Sequence, residues 1–463
     1  MSKSVKLVLG AAVVAAVYVG STWYVGGQVQ DEVHKQAAIA QDFLATHSSV
    51  AMFDQKRSFK ITHYERGVFS STVQYEIELA DAETDFTFKL EDKIYHGPLP
   101  VAAGHFAPAL AVAEGQVLHT AQTQAWFDAA QNQRPVSTKT VFGFGGAVTG
   151  QAQLAALNYV DPEASVTLNT EAVAVGYEYQ KKTGEISLDI AAPKLSLIDP
   201  EQFKLELNQL HMQVNANENP DQGHYDSVLT LDHLHLNSTD TGLMDFKGLE
   251  AKANYAMQGE LTNVAAAYEL QQIVVEGTDY GRLDFDVNVK NLHQDTINQI
   301  ALVAESEQPQ DEAKLRALIG DFLAYEPELE HAKMTWANQA GNSYVATRMK
   351  AAPALVQHFK EGTELQGELN QVYEILNLDI AVSRPMLQQV LAGNGLMASM
   401  FDMMFDSAVE AGQEVGLVTY DGTQVRLQFA FDANQNTLLL NNKPITEEEL
   451  LQLFLALQMG GLL

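Results

Sequence analysis

The sequence predicts a β-rich α+β protein. In this prediction a single N-terminal transmembrane helix precedes an elongated, curved, mainly antiparallel sheet, and helices pack near the C-terminal end. Three observations support it: an apolar run at the start, a long middle region in which apolar and polar residues alternate, and helical periodicity concentrated after residue 295. We therefore divide the chain into an anchor (1–27), a helical stalk (28–50), an antiparallel β-rich region (51–295) and an α+β C-terminal region (296–463).

The apolar run Val5–Val25 is long enough to cross a membrane. A spanning helix needs about 20 apolar residues to cross a hydrocarbon core of roughly 30 Å. Lys3 and Lys6 mark its start, whereas Asp31 and Glu32 follow it, so the positive-inside rule predicts a cytoplasmic N-terminus. We expect a single-pass protein of the cell inner membrane with most of its chain in the periplasm. A cleaved signal peptide is the alternative, although it needs a shorter apolar core.

Composition excludes several classes of protein. The formal net charge of −31 argues against nucleic-acid binding, which needs clustered Lys and Arg. The chain has no cysteine, so it contains neither disulfides nor thiolate metal sites. An acidic, soluble surface explains the charge without any dedicated cation-binding role. We expect no cofactor.

Helical spacing continues through Val29–Thr46 and predicts the stalk. From Phe59 the apolar residues recur at every second position, which is typical of half-buried strands. Two distinctive segments interrupt these strands, Arg66–Ser71 in the first connection and His96–Pro98 after the third strand.

These two segments, the apolar start and the C-terminal pattern resemble the YdgA-like family of bacterial inner-membrane-anchored proteins, for which no biochemical function is established. The resemblance implies a location and a type of fold, but no activity. We call the matching positions the signature residues: Arg66, Gly67, Phe69, Ser70, Ser71, His96, Gly97 and Pro98.

Turn chemistry is our preferred explanation of the signature residues. Gly67 would supply a positive φ in a hairpin or bulge, and Gly97-Pro98 would end a strand, because such turns fix strand register. The alternative is a polar site formed by His63, Glu65, Arg66 and His96 at one end of the sheet.

The middle of the chain predicts mostly strands. Alanine-rich residues 105–134 predict a helix–loop–helix connection, and the glycines of Phe142–Gly146 lack the Lys-Ser/Thr ending of a phosphate loop. Residues 151–289 form a series of alternating segments that predict consecutive antiparallel strands with one apolar face. His233 and His235 share a strand face, and we favour exposed histidines over a metal site there.

The C-terminal region combines helices and strands. Residues 386–411 predict a long helix interrupted near residues 393–395, with an apolar stripe that suits either the core or an adaptable ligand or partner surface. Thr446 and Glu449 predict a capping box at the last helix. We call the stripe the methionine stripe: Met397, Met400, Phe401, Met404 and Phe405.

Three functional classes follow from these features. The first is a non-catalytic envelope protein whose curved sheet binds or guides an amphiphile, either phospholipid or lipopolysaccharide. The second is a structural or interaction protein, for which a homodimer is one arrangement. An envelope hydrolase ranks third, since neither a Gly-x-Ser-x-Gly motif nor a metal-binding helix motif is present. The expected partners are the membrane, through the N-terminal helix, and a lipid.

Overall fold

The computed structural model describes residues 56–67, 69–80, 85–96, 99–161, 165–217, 223–304, 311–392 and 395–459. The predicted anchor and stalk lie outside these residues. Within them, no helix combines the length and the apolar character that crossing a membrane requires.

The chain divides into two compact units at a boundary different from the predicted one. The first comprises residues up to 219 together with 228–243, and the second comprises 220–227 together with 244–463. The predicted boundary at residue 295 instead coincides with a change from strand to helix inside the second unit. Each unit contains a large antiparallel sheet, as the alternating sequence predicts.

The first unit is built mainly of strands. They pair antiparallel in the order β1-β2-β3-β4-β5-β6-β9-β10-β11, and β10 also pairs with β8, which pairs with β7. β12 has most of its residues in this unit. The elements are β1 (Lys56–Arg66), β2 (Ser70–Ala80), β3 (Asp85–His96), β4 (Ala111–Val117), α1 (Gln124–Ala129), β5 (Val136–Phe142), β6 (Ala147–Leu154), β7 (Leu157–Val160), β8 (Thr167–Thr170), β9 (Val173–Gln180), β10 (Glu185–Asp199), β11 (Phe203–Asn217) and β12 (His224–Ser238).

A single apolar face of this sheet carries the core of the first unit. Alternate residues of β2 and β3, such as Ile77 and Phe88, are almost completely buried. The ring of Phe88 lies 4.9 Å from that of Trp126 on α1, so this short helix covers the apolar face. In β2 and β3 the period of two in the sequence therefore correctly predicted which residues point inward, whereas a register shift in β1 between Ile61 and His63 leaves His63 exposed.

The helix–loop–helix prediction for residues 105–134 is wrong. Ala111–Val117 forms β4, an interior strand that pairs with both β3 and β5, and α1 is the one α-helix there. Alanine favours helices intrinsically, but Ala111 and Ala113 are buried in the sheet core, and burial outweighs a weak local propensity.

The second unit combines a meandering sheet with seven helices among the described residues. Its strands pair antiparallel in the order β13-β14-β15-β16-β17-β18-β20-β21-β22, and β19 pairs with β20. The elements are β13 (Gly242–Gln258), β14 (Leu261–Val275), β15 (Thr278–His293), α2 (Gln294–Ala304), α3 (Asp311–Leu323), β16 (Glu328–Asn338), β17 (Gly341–Ala351), α4 (Pro353–Glu361), α5 (Leu369–Val372), β18 (Tyr373–Ser383), α6 (Arg384–Leu391), α7 (Gly395–Glu414), β19 (Thr419–Tyr420), β20 (Gln424–Asp432), β21 (Thr437–Leu440), β22 (Lys443–Pro444) and α8 (Glu447–Met459).

Two local predictions in this unit are confirmed. The predicted long helix is interrupted, since α6 ends at Leu391 and α7 begins at Gly395. The capping box is present: the backbone N–H of Thr446 donates to Glu449 Oε2 at 2.8 Å, and the N–H of Glu449 donates to Thr446 Oγ1 at 3.2 Å. Both predictions depend only on a few residues that are close together in the sequence.

Candidate functional site

Apolar residues of the second unit's sheet line up across the strands. Tyr268 on β14 lies opposite Phe285 on β15, which lies opposite Met334 on β16, and the sequence of pairs continues through β20. Because side chains alternate along a strand, directly paired residues point to the same face. We call this set the cross-strand row: Tyr268, Phe285, Met334, Val345, Ile380 and Leu427.

Two neighbouring rows extend the apolar face on either side. On one side Ala266, Val287 and Ala332 pair in turn, and the row continues to Leu378 and Phe429. On the other side the paired residues are Leu249, Leu270, Leu283 and Trp336. The sheet therefore presents one broad apolar face, as the sequence predicts.

The centre of this apolar face is exposed. Tyr268 and Met334 each retain 48% of their accessible surface, and Val345 retains 40%. Met349, two residues beyond Thr347 on β17, retains 41%. A soluble protein normally buries such a face against another layer, and an exposed contiguous apolar surface marks a binding region.

The opposite face of the same sheet is polar and internally paired. Arg282 bonds Asp284 at 2.8 Å along β15, and Lys290 bonds Glu330 at 2.6 Å between β15 and β16. Arg348 on β17 donates to the carboxylate of Glu328 at 2.8 Å. Charges on this face stabilise one another and keep it hydrated.

A groove of about 350 Å³ lies on this polar face. Asp379 is its central acid: the Tyr344 hydroxyl donates to both carboxylate oxygens at 3.2 Å, and Gln428 donates to one of them at 3.3 Å. Burial and the neighbouring Asp379 charge raise the pKa of Tyr344. His331 is bound in turn by Asp286 at 2.5 Å. These polar groups already have hydrogen-bond or ion-pair partners within the protein. The groove is therefore a weaker candidate for a functional site than the exposed apolar face.

The structure brings two of the signature residues together with a tyrosine of β1. Ser71 Oγ and His96 Nε2 share a hydrogen bond of 3.0 Å, and the Tyr64 hydroxyl donates to Ser71 Oγ at 3.3 Å. A serine and histidine at this distance resemble a nucleophile and its base. Ser71, however, is only 1% exposed, so a substrate does not reach its hydroxyl in this conformation.

The other residues of the alternative polar site are arranged differently. His63 and Glu65 are exposed on the face opposite Tyr64, with 3.9 Å between His63 Nε2 and Glu65 Oε2. The backbone conformation expected for Gly67 is also wrong, because its φ lies outside the positive range. Glycine is required there by close approach instead: an added Cβ would lie 2.7 Å from the carbonyl oxygen of Ser70.

The remaining signature residues belong to connections. Phe69 is 84% exposed, and its carbonyl oxygen accepts from the N–H of His96 at 2.9 Å. Ser70 begins β2. Gly97 and Pro98 lie outside the described residues.

The residues of the methionine stripe differ in how much of each side chain is exposed. Met400 and Met404 are 51% and 63% exposed, whereas the ring of Phe405 lies 6.1 Å from that of Tyr420 and 5.4 Å from the Arg384 guanidinium carbon. Phe401 lies 5.3 Å from Phe405, centroid to centroid. The side chain of Met397 lies outside the described residues. Part of the stripe therefore packs, and part faces solvent.

Sequence reasoning did not single out the cross-strand row or Tyr64 as site residues. Alternation indicates that Met334 and Val345 share a face, yet it carries no information on whether a helix covers that face. The two histidines considered for metal binding, His233 and His235, are half-buried with ring centroids 6.1 Å apart.

Comparison with known proteins gives a family without an assigned activity. A family model described as "Bacterial protein of unknown function (DUF945)" matches residues 1–448. The chain is 21% identical to the uncharacterized protein YihF of Escherichia coli (strain K12), over 94% of this chain and 95% of that protein. It is 22% identical to an uncharacterized protein of Haemophilus influenzae, over 65% of this chain and 85% of that protein. No solved structure matches the chain.

Proposed function

We propose that this chain, which belongs to the DUF945 family of bacterial proteins of unknown function, is a non-catalytic cell-envelope protein that binds or guides an amphiphile. The amphiphile is a phospholipid or lipopolysaccharide, and its acyl chains lie on the apolar face of the second unit's sheet. The exposure of Tyr268, Met334 and Val345 in the cross-strand row is the observation that carries the proposal.

The dimensions of the row suit an acyl chain. The row crosses six strands, and the five spacings between adjacent strands are about 4.8 Å each, so the row extends over roughly 24 Å. One leaflet of a bilayer core is about 15 Å thick, half of the roughly 30 Å total, and an extended acyl chain fits along such a length. Burial of exposed apolar surface at about 25 cal/mol per Å² would drive binding without specific polar contacts.

The chemistry of the row also suits a lipid. Methionine adapts its flexible side chain to irregular partners, and Tyr268 pairs an apolar ring with a polar tip. A curved, elongated sheet with a concave apolar face, as the sequence predicts, would wrap around such a ligand. The YdgA-like resemblance and an inner-membrane anchor at Val5–Val25 would place this surface in the periplasm beside its source of lipid.

A structural or interaction protein is the second candidate, favoured by one observation. Met400, Met403 and Met404 on α7 are 51%, 69% and 63% exposed. Such a surface suits a partner helix, including the same helix of a second copy in a homodimer.

Site-specific photo-crosslinking of the full chain in living bacteria tests the proposal. A photoreactive phenylalanine analogue replaces Met334 on the apolar face, and matched controls replace Thr335 and Lys333, which point to the polar face of the same strand. Cells are grown with radioactive phosphate, which labels phospholipid and lipopolysaccharide. We expect labelled adducts at position 334 and none at 333 or 335, because adjacent residues face opposite sides of the sheet.

Equal labelling at the three positions, or none at any, would refute a lipid-binding apolar face. The same analogue can replace Met400 or Met404. Adducts with another protein at these positions, without lipid adducts at position 334, would support the structural or interaction protein. The analogue can also replace Val345 in a chain that carries Met334→Lys. If this variant folds and gives the same lipid adducts as the chain with Met334, the proposal is contradicted.

A further inference from the structure

The polar face of the first unit's sheet carries a groove of about 400 Å³. It lies over β3, β4 and β5, and two rows of directly paired residues line it. Directly paired residues point to the same face of a sheet, so the side chains of both rows line the same groove. We call it the first-unit groove, and its rows are Lys93, Glu114 and Lys139, followed by Glu91, Gln116 and Ser137.

Both carboxylates in the first-unit groove already have donors. The two oxygens of Glu91 accept from the side-chain amides of Gln74 at 3.0 Å and Gln116 at 3.3 Å. Glu114 forms an ion pair with Lys139 at 3.0 Å, and the same ammonium donates to the carbonyl of Ala103 at 2.6 Å. These contacts engage both acids and one of the cations that line the groove.

Two further cations of the groove have no acidic partner among the described residues. They are Lys93 and Arg134, and both are exposed. The Lys93 ammonium lies 5.2 Å from the centre of the Tyr95 ring, a contact that uses the face of the ring and leaves N–H donors free for an acceptor. Arg134 precedes Pro135, whose carbonyl accepts from the N–H of Ala155 at 2.9 Å, so its backbone is held beside the start of β5. The groove therefore offers two cations to an anionic ligand.

The local charge of the groove is opposite in sign to the net charge of −31. Its lining has three cations and two carboxylates among the described residues. Neither residues 129–138, around Arg134, nor strand β6, beside β5, contains an acid. Asp92 follows Glu91 in the sequence but points to the opposite, apolar face, where it is 2% exposed.

The nearest other acids on this face do not cancel that charge. Glu76 on β2 forms ion pairs with Lys60 at 2.6 Å and with Lys89 at 3.6 Å. Glu65 on β1 and Glu178 on β9 each lie two strands from the groove. Two strand spacings are about 10 Å, a distance at which physiological salt largely screens exposed charges.

We propose that the first-unit groove binds the phosphate group of a phosphate monoester, with Lys93 and Arg134 as its cationic ligands. A phosphate monoester carries about −1.5 to −2 charges at pH 7, which two unpaired cations match and a single carboxylate does not. The planar guanidinium of arginine fits two phosphate oxygens at once, and lysine adds a compact charge. Ser137 adds a hydroxyl donor on the same face.

This site belongs to the first unit and does not depend on lipid binding by the cross-strand row of the second. The two proposals can fail separately. The phosphate can come from a soluble ester or from a lipid headgroup that ends in a phosphate monoester, and the experiment has one arm for each source.

Phosphorus NMR of glycerol 1-phosphate titrated with the full chain tests this proposal. The chain is reconstituted in nanodiscs of phosphatidylcholine, which has no phosphate monoester, and broadening of the probe's resonance reports binding. Lys93→Gln and Arg134→Gln each remove one proposed ligand. Lys182→Gln is the matched control, because it removes the same charge at an exposed position between β9 and β10, outside the groove. Glu114→Gln removes the acid that engages Lys139 and so adds a third available cation.

We expect Lys93→Gln and Arg134→Gln each to weaken binding by about tenfold, since each removes a charged hydrogen-bond donor. Lys182→Gln should leave binding unchanged, and Glu114→Gln should strengthen it. Melting temperatures equal to that of the natural chain would show that these exposed substitutions preserve the fold. Binding that is unaffected by Lys93→Gln and Arg134→Gln, or that acetate displaces as well as inorganic phosphate does, would overturn the proposal.

The second arm replaces part of the phosphatidylcholine with phosphatidic acid, whose headgroup is a phosphate monoester. Loss of glycerol 1-phosphate binding in these nanodiscs would assign the site to a lipid headgroup. Binding that persists unchanged would assign it to a soluble ester. No saturable binding of glycerol 1-phosphate to the natural chain in phosphatidylcholine nanodiscs would overturn the phosphate site itself.

Discussion

Met334 on β16 and Val345 on β17 face each other directly across two strands, and both side chains retain at least 40% of their accessible surface. Cross-strand apolar pairs usually stabilise a sheet by packing together under a covering layer. This pair instead lies at the centre of a broad apolar face. Its exposure distinguishes this face from an ordinary core.

The exposure of Met334 gives a prediction about stability. Met386, at the start of α6, is fully buried, and its sulfur accepts from the Ser343 hydroxyl at 3.6 Å. Met386→Ala should lower the free energy of unfolding by about 2–5 kcal/mol, because it leaves a cavity. Met334→Ala should lower it by less than about 1 kcal/mol, since half of the side chain is already in water. Chemical denaturation of the two full-length variants measures the difference, and equal losses would show that the apolar face is covered.

The sequence predicted those features of the fold that depend on neighbouring residues. The capping box of Thr446 and Glu449 needs only four consecutive residues, and the alternation in β2 needs only its own side chains. Residues 111–117 were mispredicted because their strand depends on pairing with β3 and β5, which local propensity does not encode. The exposure of Met334 likewise depends on which distant elements cover it.

The capping box itself gives a prediction about pH. The N–H and hydroxyl of Thr446 donate to the carboxylate of Glu449, and they lower the pKa of Glu449 below its ordinary value. A carboxyl group with a lowered folded-state pKa stabilises the fold above its unfolded pKa, and this contribution is lost as the pH falls through the folded value. Thr446→Ala should lower the free energy of unfolding by about 1 kcal/mol at neutral pH, because it removes the N-cap side chain.

Thermal melting followed by circular dichroism between pH 3 and pH 7 measures this effect. The difference between the natural chain and Thr446→Ala should shrink at the acidic end, where Glu449 is protonated. Glu448→Gln, one position earlier in the same helical turn, is the control. A difference independent of pH would exclude the carboxylate from the cap.

Close packing around Gly150 in the first unit gives a third prediction. A Cβ at Gly150 would overlap the ring of Tyr177, whose hydroxyl is hydrogen-bonded to Thr140. Gly150→Ala should therefore destabilise the first unit by about 1–3 kcal/mol, because the ring must move and its hydrogen bond must break or shift. Gly145→Ala is the matched control, since no atom lies within 4 Å of its added Cβ and its φ is not positive. Equal melting temperatures for the two variants would contradict close packing between Gly150 and Tyr177.

The most unusual buried group is Asp92 on β3, which gives the last prediction. It is 2% exposed and lies between Val73 on β2 and Gly115 on β4. Among the described residues its Oδ1 atom has no hydrogen-bond partner, which is rare for a buried carboxyl group. Burial raises the pKa of Asp92 to about 7 from an ordinary value of 3.8.

A raised carboxyl pKa means that the folded state holds a proton that the unfolded state releases. Stability should therefore fall as the pH rises from about 4 to about 7, by on the order of 4 kcal/mol, and stay low above that range. Asp92→Asn removes the titrating group, so it should flatten this fall and make the first unit more stable than the natural chain at pH 8. Glu91→Gln is the control and should retain this fall in stability. Glu91 is the residue before Asp92, and its carboxylate accepts a hydrogen bond from Gln74 Nε2 at 3.0 Å. Denaturation across this pH range measures both profiles, and a natural chain whose stability does not change between pH 5 and pH 8 would show that Asp92 is ionised and solvated rather than buried.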